Sequence, residues 1–246
     1  MDKNNVWFIT AKTNLHVGNE NTSSYGLIDL AVQRNVTTGL PCINSSSLKG
    51  ALNEYAAKEA KLESKDLVRI FGSDKVKESG KSRNSDTQKG QYTFFDANIL
   101  FLPVQDENNL YHLETSHDVI QRFKNQLGLF GVYFKDSNET ELDDDSLLKM
   151  LKEILHIQKE VKFSEPEAKF IELCSDDNLP IIARNVLENG ESKNLWYEQV
   201  VPAETVFYTI IDDKEDRILA NKIADAIVQI GANATIGYGY CKITNV

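Results

Sequence analysis

The chain has 246 residues, 41% of them hydrophobic, enough to bury one large core or two small ones. A formal net charge of -10 argues against unspecific binding of nucleic acid over the whole surface. No run of about 18 apolar residues is present to span a membrane, and three scattered cysteines, Cys42, Cys174 and Cys241, predict small buried side chains in a reducing cytoplasm, without a disulfide framework.

Residues 6–11, VWFITA, are rich in β-formers and predict a first strand. The apolar patch ahead of Lys12 is too brief for a secretory signal. A long loop follows from about Asn14 to Asn44. Ser45 to Ser47 then offer N-cap hydroxyls to an amphipathic helix in which Leu48, Leu52, Tyr55 and Ala56 recur at helical spacing. Residues 73–92 are charged, aperiodic and poor in apolar side chains, which predicts a mobile loop. TFFDANILFLPV reads as a buried strand ending at Pro103, with NLYHLET as its partner after a DENN turn.

SHDVIQRFKNQLG opens on a serine cap and closes on glycine. DDDSLLKMLKEILHIQKE carries acids first and lysines later, the order a helix dipole favours. The two predict a helical insertion over about 117–160. LPIIARNVLENGESKNLWYEQVVP reads as two strands joined by the turn-forming ENGESKN, a projecting hairpin over about 183–198. ETVFYTIID is a further strand. EDRILANKIADAIVQIG predicts a helix with Ile218, Ile223, Ile227 and Ile230 on its apolar side, and TIGYGYCKI predicts a closing strand. The order suits an α+β, ferredoxin-like sheet with helices on one face, in a single domain over 1–246.

Charge is unevenly placed. Six acids fall within residues 136–145, whereas residues 30–53 hold none and carry Arg34 and Lys49. The last nineteen residues, from Val228 onward, also lack acids. Three segments carry candidate chemistry. The first, LHVGNENTSSYGLIDLAVQRNVTTGLPCINSSSLKG, holds His16, Asp29 and Arg34, and ends where Ser46, Ser47 and Lys49 begin a helix whose free N–H groups can bind phosphate. The second is the loop with Gly231, Gly237 and Gly239, whose spacing is neither a P-loop nor a dinucleotide fingerprint but whose amides can meet phosphates. The third is the hairpin with Arg184, Trp196, Tyr197 and Glu198, where an aromatic ring can stack on a base. Each also has a purely structural reading: capping for the serines, a tight connection for the glycines, a core ring for one of the aromatics. No HExxH spacing is present, so a metal acting here would be a magnesium ion that keeps several waters and leans on substrate phosphate.

Together these segments resemble the RAMP proteins of type III CRISPR systems, and within them the Cmr-type backbone subunit. GLIDLAVQR..TTGLP.I..SSLKGAL, FFDANILFLPV, IARNVLENGESKNLWYEQVVPAETVF and IVQIGANATIGYGY stand in the matching order, while 105–165 adds little. The resemblance implies a modified RNA-recognition-like fold with a protruding hairpin thumb. It also implies copies of the chain stacked along a guide CRISPR RNA among other subunits, with complementary target RNA cut at regular intervals. On it, the cutting aspartate with its divalent metal is Asp29, with His16 and Glu198 as further candidates. Arg34, Ser46, Ser47, Lys49, Arg184, Trp196, Gly231, Gly237 and Gly239 would contact RNA. Asparagine follows Arg34 where many relatives carry an acid. Three alternatives stand beside this reading: a purely structural guide-binding subunit, a repeat-RNA processing endonuclease of the same superfamily, and a small-molecule enzyme on a ferredoxin-like scaffold.

Overall fold

A computed structural model describes residues 5–18, 28–73, 88–214 and 216–246. The ferredoxin-like kernel forms from four strands: β1 (Val6–Ala11), β4 (Ala97–Asp106), β9 (Val206–Asp212) and β11 (Tyr240–Asn245). They lie in the order β11-β1-β9-β4, all antiparallel. That is the order of the split β-α-β motif: α1 (Ser45–Lys58) leads from β1 to β4, and β9 is inserted between the two. Two short strands complete the middle, β2 (Cys42–Ile43) on β4 and β3 (Thr93–Phe94) on β9. The far edge is built by β5 (Leu110–Thr115), antiparallel to β4, and β6 (Val161–Phe163), parallel to β5.

All six residues of β1 are buried. Successive side chains on a strand point to opposite faces, so the sheet is covered on both sides there, not on the single face expected. One face packs on α3 (His117–Gly128): Phe123 lies 6.1 Å from Phe8 and meets Tyr208 edge-on at 4.7 Å. The insertion also carries α4 (Asp144–Ile154), whose Asp143 side chain caps the Ser146 amide, and then α5 (Ala168–Leu173) after β6. The three cysteines are free and buried, and desolvation pushes the Cys174 and Cys241 thiols up to about 12.

Several sequence expectations change. The first helix ends at Lys58, and α2 (Ser64–Phe71), not foreseen, follows it. Most of the loop expected at 73–92 lies outside the described residues, but its end is fixed: Gln91 donates to the Arg69 carbonyl and Tyr92 is buried. β4 runs through Pro103 to Asp106, because beyond Phe101 it pairs only with β5, and an open edge tolerates a residue without an N–H.

The helix expected over 215–231 is one short turn, α6 (Ala220–Ile223), followed by β10 (Ile227–Gln229) on the edge of β11. Asp225, at φ 63°, breaks the helix, and its N–H donates to the Ile243 carbonyl. The strand expected from Thr235 starts only at Tyr240, behind a 3-10 turn over Ala234–Ile236.

The hairpin is β7 (Ile181–Glu188) and β8 (Glu191–Gln199), slightly longer than expected and forming a sheet of its own. The broad ENGESKN connection is instead a tight two-residue turn, Asn189 and Gly190, both at positive φ as such hairpins demand. Phe123 closes the aromatic core between α3 and the sheet. Replacing it with alanine should cost about 3–5 kcal/mol of stability, read as a lowered midpoint in denaturant unfolding.

Candidate functional site

The site grows from the root of the hairpin. The Asp29 and Leu30 amides both donate to the Tyr197 carbonyl, at 3.0 and 3.2 Å. The Tyr197 N–H donates back to Asp29 Oδ2 at 2.7 Å, and the Gln199 N–H donates to the Leu30 carbonyl at 2.9 Å. Asp29 therefore rides on β8 as a short strand would. Its side chain is exposed, and among the described residues nothing donates to Oδ1.

Beneath this exposed carboxylate lies a buried one. Glu198 is 2% exposed and His16 3%. Asn233 donates its side-chain amide to Glu198 Oε1, Arg184 stands 3.7 Å from Oε2, and the His16 ring nitrogen Nδ1 is 3.5 Å from Oε1. That Nδ1 lies closer, at 2.7 Å, to the Gln199 carbonyl. A carbonyl only accepts, so Nδ1 carries the proton. The Gln199 side chain accepts from the Val32 amide and donates to Asp176. His16 and Glu198 are thus enclosed beneath Asp29, where they support it and do not face solvent.

The glycine loop closes over the same spot. The Ala232 N–H donates to the His16 carbonyl, and a Cβ added at Gly231 would stand 2.3 Å from that oxygen. Gly239 donates to the Asn14 carbonyl. Gly237, at φ 84°, is exposed, with open space where a side chain would stand, while its N–H donates to the Ala234 carbonyl. Gln33 joins this end to the helix: its Nε2 donates to the Gly18 carbonyl and to Ser47 Oγ, and its Oε1 accepts from the Asn44 amide. α1 also packs beside β10, the strand that leads into the glycine loop. Lys49 sits in that helix with its ammonium 5.8 Å over the Phe94 ring.

Other expected contacts fall elsewhere. Arg34 turns inward: its guanidinium donates to the Gly39 and Cys174 carbonyls at 2.7 Å each and pairs with Asp176. It ties the loop down. The serine hydroxyls do not cap α1; the Ser45 amide donates to Asp96, so the protein supplies its own anion at the first turn, although Ser46 remains exposed. Trp196 is half-buried under the Arg184 guanidinium, 5.8 Å away, while Tyr197, Leu195 and Val186 carry the exposed surface of the hairpin. Sequence reasoning missed Gln33, Asp176, Gln199 and Asn233. Nothing local marks them, since each acts across a long stretch of chain.

Among the described residues no three His, Cys, Asp or Glu side chains lie together as ion ligands. One open oxygen on Asp29 fits a hydrated magnesium ion shared with a substrate phosphate, and does not fit a chelated ion.

A family model for the RAMP superfamily matches residues 8–242. The chain is 30% identical over 267 residues to the CRISPR system Cmr endoribonuclease Cmr4 of Pyrococcus furiosus, covering 89% of this chain and 88% of that protein. The crystal structure of oligomeric Cmr4 from Pyrococcus furiosus matches with a TM-score of 0.71 at 25% identity, over 97% of this chain and 96% of that one. A chain of the type III-B Cmr-beta complex bound to cognate target RNA shares the fold, with a TM-score of 0.67 at 20% identity over 97% and 95% of the two chains.

The two glycines of the loop separate backbone strain from crowding. Gly237→Ala should cost about 1 kcal/mol, the strain of a left-handed residue with free space around it. Gly231→Ala should cost more than twice as much, because the His16 carbonyl must move as well; paired denaturant melts compare them.

Proposed function

The chain belongs to the RAMP superfamily, and from that membership we propose that it is a backbone subunit of a Cmr-type type III CRISPR complex that binds guide RNA and cuts complementary target RNA with Asp29. The observation that carries the cutting role is Asp29 itself. It is an exposed carboxylate with one oxygen fixed by the Tyr197 N–H and the other without a donor among the described residues, at the root of a projecting hairpin.

RNA brings its own nucleophile. Asp29 Oδ1 takes the proton of a 2′-hydroxyl as that oxygen attacks the neighbouring phosphorus. The bond from phosphorus to the 5′-oxygen breaks, and the leaving oxygen takes a proton from water. The products are a 2′,3′-cyclic phosphate and a 5′-hydroxyl. Tyr197 holds the carboxylate against rotation, so its geometry is set before substrate arrives. A divalent ion, magnesium in this reading, would be held near Asp29 through its own waters and would supply positive charge against the charge developing on the phosphate oxygens. His16 and Glu198 support the floor of the site and do not themselves meet RNA.

Guide binding falls to the outward part of the glycine loop around Gly237, to Ser46 and Ser47 at the helix start, and to Lys49. The hairpin offers Tyr197, Leu195 and Val186 as the surface that displaces or stacks on bases. The oligomeric form of the Pyrococcus furiosus relative supports self-association of this chain; in this reading the copies follow one another along the guide, with other subunits of the complex, in the cytoplasm.

Asp29→Asn keeps an oxygen for the Tyr197 N–H while removing the base. In assembled complex it should slow cleavage of complementary RNA by about 100-fold or more, with guide RNA still retained. Cleavage at the wild-type rate would leave a purely structural subunit. A single 2′-deoxy nucleotide placed at one cut position should abolish the product from that position alone, as read on a sequencing gel.

A further inference from the structure

We infer that Asn233 is a positioning residue for the Asp29 carboxylate, acting through Glu198 and strand β8; this rests on Asp29 being the cutting residue. The hairpin is a sheet of its own and largely exposed, so any pull that bound RNA exerts on it is passed down β8 to its root. Asp29 is tied to that root at Tyr197, one residue from Glu198. What immobilises Glu198 therefore immobilises the Tyr197 N–H that aims the carboxylate.

A buried carboxylate needs close partners. Of those around Glu198, Arg184 stands at 3.7 Å and His16 at 3.5 Å, whereas the Asn233 amide makes the short bond. Arg184 does not make that bond in this arrangement: its NH1, 3.7 Å from Oε2, has no hydrogen-bond partner among the described residues. Asn233 is itself held in the left-handed region at φ 68°, at the start of the 3-10 turn that leads to Gly237. This side chain joins the glycine loop to the root of the hairpin, beside a second link in which the Arg184 guanidinium lies 6.0 Å over the Tyr238 ring. The misplacement of a catalytic group by about 1 Å is enough to cost up to about 100-fold in rate.

The test uses assembled complex with its guide and a 5′-labelled complementary RNA, in single turnover. Asn233→Gly keeps the backbone conformation, which glycine adopts freely, and removes only the amide. It should slow the cleavage step about tenfold while leaving the half-saturating RNA concentration unchanged. Asn233→Asp sets two carboxylates face to face and should be slower still. Asn233→Asp combined with Glu198→Gln reverses donor and acceptor and restores the bond, so the double variant should recover to within about threefold of wild type.

Wild-type rates in Asn233→Gly, with Asp29→Ala inactive alongside, would overturn the positioning role and leave the cutting role standing. A double variant as slow as Asn233→Asp would overturn it too, since the bond would be back without the rate. Full activity in Asp29→Ala would overturn the cutting role and this inference together.

Discussion

Three consecutive residues, Tyr197 to Gln199, hold the molecule's functional end together. Tyr197 exchanges backbone hydrogen bonds with the Asp29 segment, Glu198 is gripped by Asn233, and the Gln199 carbonyl accepts from His16 while its side chain reaches Val32 and Asp176. Through them the loop after β1, the connection after α5, the hairpin and the glycine loop meet at one point. Glu198 is the costly element, because a buried carboxylate is tolerated only when its partners are in place. In the proposed reading, removing any of these ties loosens a carboxylate that must be aimed before it can act.

The same arrangement explains how an acidic chain can offer a surface to RNA. Part of the negative charge lies in the helical insertion, where it has local duties. Asp143 caps α4, its carboxyl held below the usual range by the Ser146 amide, and Asp144 pairs with His117 and Lys124. Around the hairpin root the acids are few and differently employed. Glu198 is sealed in, Asp176 is neutralised by Arg34, and among the described residues Asp29 Oδ1 has no donor. The glycine loop and the start of α1 lie beside it, linked through Gln33, Gly18 and His16.

Much of the fold was legible because its signals are local. β1, β4, β9, α1, α3 and α4 follow from apolar periodicity and capping over a few residues. The misreadings share one cause, a distant partner that outweighs local preference. Isoleucines at 218, 223, 227 and 230 repeat like a helix, yet the open edge of β11 captures Ile227 to Gln229 as a strand. Ser45 to Ser47 look like caps, yet Asp96, 51 residues from Ser45, takes the first amide. Nor did anything local announce that Arg34 pairs with Asp176, 142 residues away. Asp29 could be singled out because it sits in a distinctive local run. His16 and Glu198 were marked with it, but the residues that hold them were not, since Gln199 lies 183 residues from His16 and Asn233 35 from Glu198.

The central claim is that Asp29, aimed by the hairpin root, reaches a 2′-oxygen of target RNA. The most direct measurement is a structure of the assembled complex holding guide and a target blocked by 2′-fluoro groups. The account predicts Asp29 Oδ1 about 3 Å from the blocked 2′-position next to the displaced nucleotide, with the Tyr197 N–H still on Oδ2. A target strand running past the hairpin with Asp29 turned away and another side chain at that 2′-position would contradict it.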